Sequence, residues 1–181
     1  MDLSNYDNRN FDRGAPLWKE ALWRMTQGFF FQAMWPVPNG WRVNLLRLFG
    51  AKLGKGVVIR AGVNISFPWR LRTGDHVWFG EEVMILSLAP VTIGSNVCLS
   101  QRCFLCTGSH DPHSKAFELV TKEITISDQS WIGAQAWIGP GVRIDECSVI
   151  AAGSIVNRNV PPGRLYAGNP AIDKGPSRTD L

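Results

Sequence analysis

From residue 53 onward a large apolar side chain returns at every sixth position. Leu53, Ile59 and Ile65 set one register. Thr73, Phe79 and Ile85 continue it after a shift of two residues, and Ile93, Leu99 and Leu105 follow a second such shift. The longest run, Ile126, Ile132, Ile138, Ile144, Ile150 and Val156, comes after a break. Only Thr73 among these fifteen positions is not apolar. Four residues behind them runs a column of small or β-branched side chains: Val57, Val63, Val77, Val83, Ala89, Val97, Cys103, Ser130, Ala136, Val142, Ser148 and Ser154. The position just after the large residue is often glycine, as at Gly54, Gly74, Gly80, Gly94, Gly133 and Gly139. A period of six matches neither the 3.6 of an amphipathic helix nor helical repeats of 30 or more residues.

This pattern predicts an all-β triangular coil. Each hexapeptide supplies a short strand and a corner, and three of them close a turn. The large aliphatic fills the prism, the small residue packs beneath the next corner, and glycine relieves the bend. Turns stacked at the strand spacing would give a prism roughly 24 Å tall for five turns. The handedness does not follow from composition, since crossovers between parallel strands are normally right-handed.

A prism of this kind has two open ends that expose strand edges and core. Residues 1–50 precede the repeat and read as a helical cap. Leu17, Ala21, Leu22, Met25 and Phe29 recur at helical spacing, and Pro36, Pro38 and Gly40 separate them from a second short helix, WRVNLLRLFG. The stripe is expected to pack on the first coil and on neighbouring subunits. The alternative is an amphipathic, Trp-rich surface that touches a membrane, with Arg24, Arg42 and Arg47 nearby. The repeat domain spans 51–171 with a loop insertion at 107–123, and 172–181 reads as a flexible tail.

Composition narrows the class. Apolar residues make up 45% and charged residues 19% of the 181, so a packed core is expected rather than disorder. Eighteen glycines and eleven prolines agree with many tight corners. Net charge is +4 and the pI about 9.1, which fits an anionic small ligand or a membrane surface. No Lys/Arg-rich run or RNA-type motif points to nucleic acid as a partner. The polar, acid-bearing start MDLSNYDNRNFDRG is unlike a signal peptide, and no 18-residue apolar stretch is present. Four cysteines then read as reduced thiols, and the expected location is cytoplasmic or peripheral at the inner membrane.

The break between Leu105 and Ile126 holds TGSHDPHSKAFELVTKE, with two of the three histidines. An excursion from a strict solenoid is where a repeat protein places function. The block VTIGSNVCLSQRCFLCTGSHDP, with ITISDQSWIGAQAWIGPGVRIDECSVIAAGSIVNRNVPPGRLYAGNPA after it, resembles the hexapeptide-repeat acetyltransferases over roughly residues 40–171. Within them it is most similar to the O-acetyltransferases of colanic acid and exopolysaccharide biosynthesis. The resemblance implies a left-handed β-helix, a homotrimer, acetyl-CoA as co-substrate, no metal, and a sugar or glycan hydroxyl as acceptor, lipid-linked or nucleotide-linked.

The resemblance also implies site residues. His110 matches the family's general base: an alcohol's pKa is far above neutral, and an imidazole of ordinary pKa, about 6.5, can take its proton as the C–O bond forms. Asp111 and His113 flank it; either could orient it or touch the acceptor, and an ordinary turn role is the expectation for both. Trp131 and Ala134 would line the pantetheine path of the coenzyme, Ala152 would offer backbone groups, and Asn157 with Arg158 would meet the nucleotide end. The family more often has Thr-Lys at those last two positions. Lys174 and Arg178 only loosely replace the basic pattern that usually follows NPA. Glu81 stands where relatives often have Asn, and is a candidate acceptor contact.

Two other readings stand beside this one. A γ-class carbonic anhydrase shares the prism and binds zinc through three histidines; here these would be His76, His110 and His113, although the last two are three apart rather than five. A Cys103, Cys106, His110, His113 zinc cluster is too tightly spaced. A non-catalytic β-helix scaffold would keep the repeat with no need of His110.

Overall fold

The structure is a computed structural model and describes residues 6–9, 11–32, 36–114 and 116–177. The chain winds a left-handed parallel β-helix of about five turns behind two helices. Each turn visits three faces in order. The first face stacks Val58–Ile59, Trp78–Phe79, Cys98–Leu99, Trp131–Ile132 and Val149–Ile150 in parallel register. The second stacks Asn64–Ile65, Met84–Leu86, Phe104–Cys106, Trp137–Ile138 and Ile155–Val156. The third stacks Leu71–Thr73, Val91–Ile93, Ile124–Ile126 and Arg143–Ile144.

Both predicted columns point inward. Of the large residues all are buried except Leu53 and Thr73, which are half-buried in the first coil, and every member of the small column is buried. The serines in that column are satisfied: Ser130 Oγ donates to Asp145 O and Ser148 Oγ to Pro161 O.

The register shifts have a single location. Val58 stacks on Trp78 and Trp78 on Cys98, 20 residues per turn, whereas Trp131 stacks on Val149 after 18. The extra residues lie at the edge between the second and third faces, in Phe67–Arg70 and Ser87–Pro90, and the 107–123 insertion leaves from that edge as well. One edge of the prism therefore carries all the departures from the repeat.

Glycine acts differently from the expectation. Gly54, Gly74, Gly80, Gly94, Gly133 and Gly139 do not adopt positive φ. At all but Gly139, where the Trp137 ring is the close neighbour, they are needed because the next coil is too close for a Cβ: at Gly133 it would stand 2.5 Å from Ala152 N and 2.6 Å from Ile150 O. The left-handed corner falls two residues later and is often held by a side-chain-bearing residue, as at His76 (φ 56°), Asn96 (57°) and Gln135 (59°). Gly133→Ala is thus expected to cost about 1–3 kcal/mol, since backbone of the adjoining coil must move. Gln135→Gly should change stability by less than about 1 kcal/mol, because relief of the left-handed strain offsets the added chain entropy. Urea unfolding of the two variants checks this ordering.

The cap closes the N-terminal end through polar groups. Helix α1 (Leu17–Phe30) and helix α2 (Asn39–Leu48) lie over the first coil. Its unpaired strand edges are met by side chains: Trp23 Nε1 donates to Ile65 O at 2.7 Å, Gln27 Oε1 accepts from Ile65 N, and Asn39 Oδ1 accepts from Ile59 N. Arg42 donates to Phe30 O and Ile59 O, and its burial pulls the guanidinium pKa down from its ordinary value. Toward the first coil, the face that docks is not the expected stripe. Leu17, Leu22, Met25 and Phe29 are exposed, and the face that docks is Glu20, Trp23 and Gln27. A strand edge presents N–H and C=O groups, so the helix face that covers it must carry hydrogen-bonding side chains.

At the other end, Arg164–Gly168 pairs with Val149–Ile150 and then, antiparallel, with Ala171–Pro176. The expected tail at 172–181 is thus a strand as far as Pro176, covering an edge that would otherwise stay open; Arg178 lies outside the described residues.

Candidate active site

The insertion is a β-hairpin. Gly108–His110 pairs antiparallel with Leu119–Thr121, and His110 stands opposite Leu119. Buried Thr107 roots it: Thr107 Oγ1 donates to Leu86 O, and its backbone carbonyl accepts from Lys122 N. Gly108 lies close against Leu88, where a Cβ would come within 2.7 Å of the leucine Cδ1.

His110 is half-buried and held on three sides. Its Nδ1 is 2.8 Å from Phe117 O, its ring stacks on the Phe117 ring at 4.2 Å and 2°, and Tyr6 meets it edge-on at 5.6 Å. A carbonyl oxygen can only accept, so the proton sits on Nδ1 and Nε2 presents its lone pair. That is the tautomer a general base needs.

Neither flanking residue orients the imidazole. Asp111 Oδ1 accepts from His113 N at 2.8 Å and shapes the turn, and the His113 side chain is exposed. The orienting group is the Phe117 carbonyl, which sequence reasoning missed because a backbone oxygen leaves no signature in side-chain spacing.

Beside the hairpin lies a cavity of about 460 Å³, lined among others by Asp7, Phe11, Asp12, Arg70, Leu88 and Glu118. Its far wall is the N-terminal segment, strapped to the irregular edge by Trp69 Nε1 donating to Arg13 O at 2.8 Å and by Arg70 donating to Asp12 O. Arg70 also lies over Phe11 and Phe67. Burial lowers its pKa from the ordinary arginine value, while Asp12 opposes that shift. None of these wall residues was singled out in the sequence. The available signal was that the register shifts and the insertion coincide in the turn, which places them on one edge.

The remaining predicted residues fall into two groups. Asn157 and Arg158 are exposed on the same edge as the hairpin, beyond Ile155–Val156. Trp131, Ala134, Ala152 and Glu81 belong to the first face and to its corner with the second. The indole of Trp131 is 52% exposed and fixed by donation to Ser100 Oγ at 2.8 Å. Ala134 O accepts from Gly153 N beside exposed Ala152, and Glu81 faces Arg60 at 3.7 Å. Within one chain, His110 and the Trp131 group therefore sit on different edges of the prism.

Three of the four cysteines, Cys98, Cys103 and Cys106, are not poised as nucleophiles. Burial pushes the Cys103 thiol up to about 12 and raises Cys98 and Cys106 as well. His76 lies at the corner between the third and first faces, away from the hairpin. Among the described residues no three His, Cys, Asp or Glu side chains are grouped to hold a metal.

No family model matches the chain. It is 40% identical over 172 residues to the putative colanic acid biosynthesis acetyltransferase WcaF of Escherichia coli, covering 95% of this chain and 94% of that protein. It is 33% identical over 132 residues to the galactoside O-acetyltransferase of the same organism, covering 71% and 65%. The solved structure of a hexapeptide-repeat acetyltransferase from Vibrio cholerae, complexed with acetyl coenzyme A, superposes with a TM-score of 0.82 at 30% identity, over 90% of this chain and 89% of that one.

Proposed function

The chain belongs to the hexapeptide-repeat acetyltransferases and uses acetyl-CoA, and from that premise we propose that it acetylates a hydroxyl of a sugar or glycan intermediate of exopolysaccharide synthesis with His110 as general base. The observation that carries the mechanism is the Nδ1 contact of His110 with Phe117 O, which leaves Nε2 free to accept.

Acetyl-CoA supplies an acetyl thioester. His110 Nε2 takes the proton of the acceptor hydroxyl as its oxygen bonds to the acetyl carbon, and returns that proton to the departing coenzyme sulfur. The pair of rings, Phe117 and Tyr6, holds the imidazole in one orientation throughout. The residues present fit the co-substrate: Trp131 offers an immobilised exposed ring, the Ala134 and Ala152 corners offer open backbone, and Arg158 offers an exposed cation to phosphate. The cavity beside His110 suits a hydroxyl-rich acceptor. Asp7, Asp12, Glu118 and Arg70 can hydrogen-bond to hydroxyls, and Phe11 gives an apolar floor.

A homotrimer follows as part of this proposal. The outward ladder of the first face is Val58, Trp78, Cys98, Trp131, Val149 and Leu165, and that of the second is Asn64, Met84, Phe104, Trp137 and Ile155. The third face instead presents Arg72, Thr92, Thr125 and Arg143. Two apolar faces and one polar face suit three parallel prisms closed in a ring, and such a ring can bring the Trp131 group of one chain to the hairpin of the next. Light scattering should return three times the 20.1 kDa chain mass, and a monomer at micromolar concentration would overturn the arrangement.

No helix among the described residues is long and apolar enough to cross a membrane. The proposed location is cytoplasmic and peripheral at the inner membrane, with the N-terminal helices toward the lipid and a lipid-linked acceptor.

A further inference from the structure

The outward side of the cap carries more than the location of the acceptor. On α1, Trp18, Leu22 and Met25 lie half a helical turn from the docked Glu20, Trp23 and Gln27, with exposures of 68%, 48% and 74%. On α2, Trp41 and Leu48 are 59% and 77% exposed and line a shallow apolar cleft with Phe30 and Leu45. Both helices sit on the N-terminal end of the prism, so this surface lies at the end of the coil axis. The trimer faces proposed above run along its sides.

Charge singles out the same end. Residues 15–60 contain seven basic side chains and one acid, whereas the rest of the chain contains twelve basic and fourteen acidic ones. The whole positive excess of the protein is therefore concentrated in the cap and first coil. The one acid, Glu20, is buried and bonded to both Arg13 and Arg24. Arg24, Arg47, Lys52 and Lys55 are exposed around the apolar surface.

From this combination we infer that the outward faces of α1 and α2 dock the protein on an anionic lipid surface, with Trp18, Leu22, Met25, Trp41 and Leu48 entering the interfacial layer and the basic rim facing the headgroups. Aromatic and aliphatic side chains bordered by arginine and lysine are the chemistry such an interface takes. The inference deepens the peripheral location proposed above and rests on the trimer for its strength. Threefold symmetry about an axis parallel to the prisms would place three caps on one side, so that three weak contacts act together.

Flotation of the full-length protein with phosphatidylcholine vesicles, and with vesicles half phosphatidylglycerol, tests it. Binding should be strong on the anionic vesicles, at least tenfold weaker on the neutral ones, and reduced by salt. Leu22→Glu with Met25→Glu should lower binding to the anionic vesicles by tenfold or more while the light-scattering mass and the acetylation of a water-soluble acceptor stay unchanged. Equal binding to both vesicle types, or wild-type binding by the double variant, would overturn the inference. So would a lipid-free particle of twice the trimer mass that the double variant abolishes, because the surface would then be an interface between copies. Loss of acetyl transfer with vesicle binding intact would instead count against the proposed function alone.

Discussion

His110→Ala is expected to lower kcat by about 10²–10⁴-fold, the range for loss of a general base. The substitution removes the imidazole whose Nδ1 is held by Phe117 O and whose Nε2 is left to accept a proton. Acetyl-CoA affinity should change little, since the residues proposed to hold it, Trp131, Ala134 and Ala152, lie outside the hairpin. His113→Ala should cost much less, because that side chain is exposed and only its backbone N–H is tied to Asp111. His76→Ala should leave kcat almost unchanged, as it occupies the corner between the third and first faces, away from the hairpin. The hairpin strands pair with each other through backbone bonds, so the variant should remain folded. An intact variant that still acetylates its acceptor at near-normal rate would refute the mechanism.

Trp23→Ala should produce the largest loss of stability. Trp23 is fully buried, packs against Phe31 and Phe49 with ring centroids 5.4 and 5.1 Å away, and donates its indole N–H to Ile65 O. Truncating a buried tryptophan costs about 3–5 kcal/mol through lost contacts and the cavity left behind. The Ile65 carbonyl, at the open edge of the second face, would lose its partner, a further cost of about 1–3 kcal/mol. Against a total stability of about 5–15 kcal/mol, that is enough to threaten the fold. Trp23→Phe should recover most of the packing term and leave the hydrogen-bond term, whereas Trp18→Ala should change stability by less than about 0.5 kcal/mol. Urea titrations of the three variants separate these outcomes. A Trp23→Ala protein within 1 kcal/mol of wild type would show that the cap does not close the prism.

These two tryptophans mark where the sequence stopped being readable. Five residues apart, both lie in a helix that periodicity located correctly, and both carry the same apolar ring. The spacing of Leu17, Ala21, Leu22, Met25 and Phe29 did not mark the face that docks on the first coil. Apolar stripes usually face a core, but this helix covers strand edges whose unpaired carbonyl and amide groups need polar partners. The glycines gave a related lesson. Their positions were legible and their reason was not, because the close approach of Gly133 to Ala152 and Ile150 exists only between coils 18 residues apart.

What the sequence determined by itself was the prism. A core that repeats every six residues depends on local alternation, so the inward columns, the corners and the site of the insertion follow from spacing alone. The motif around His110 likewise singled out that residue as the candidate base before any coordinates. The tertiary structure decided the tautomer of His110, through Phe117 O, and the cavity, which draws on residues from 7 to 121. It also decided the separation of His110 from Trp131. These properties depend on which edge of the prism a residue occupies and on backbone atoms brought together across turns, and a linear period encodes neither.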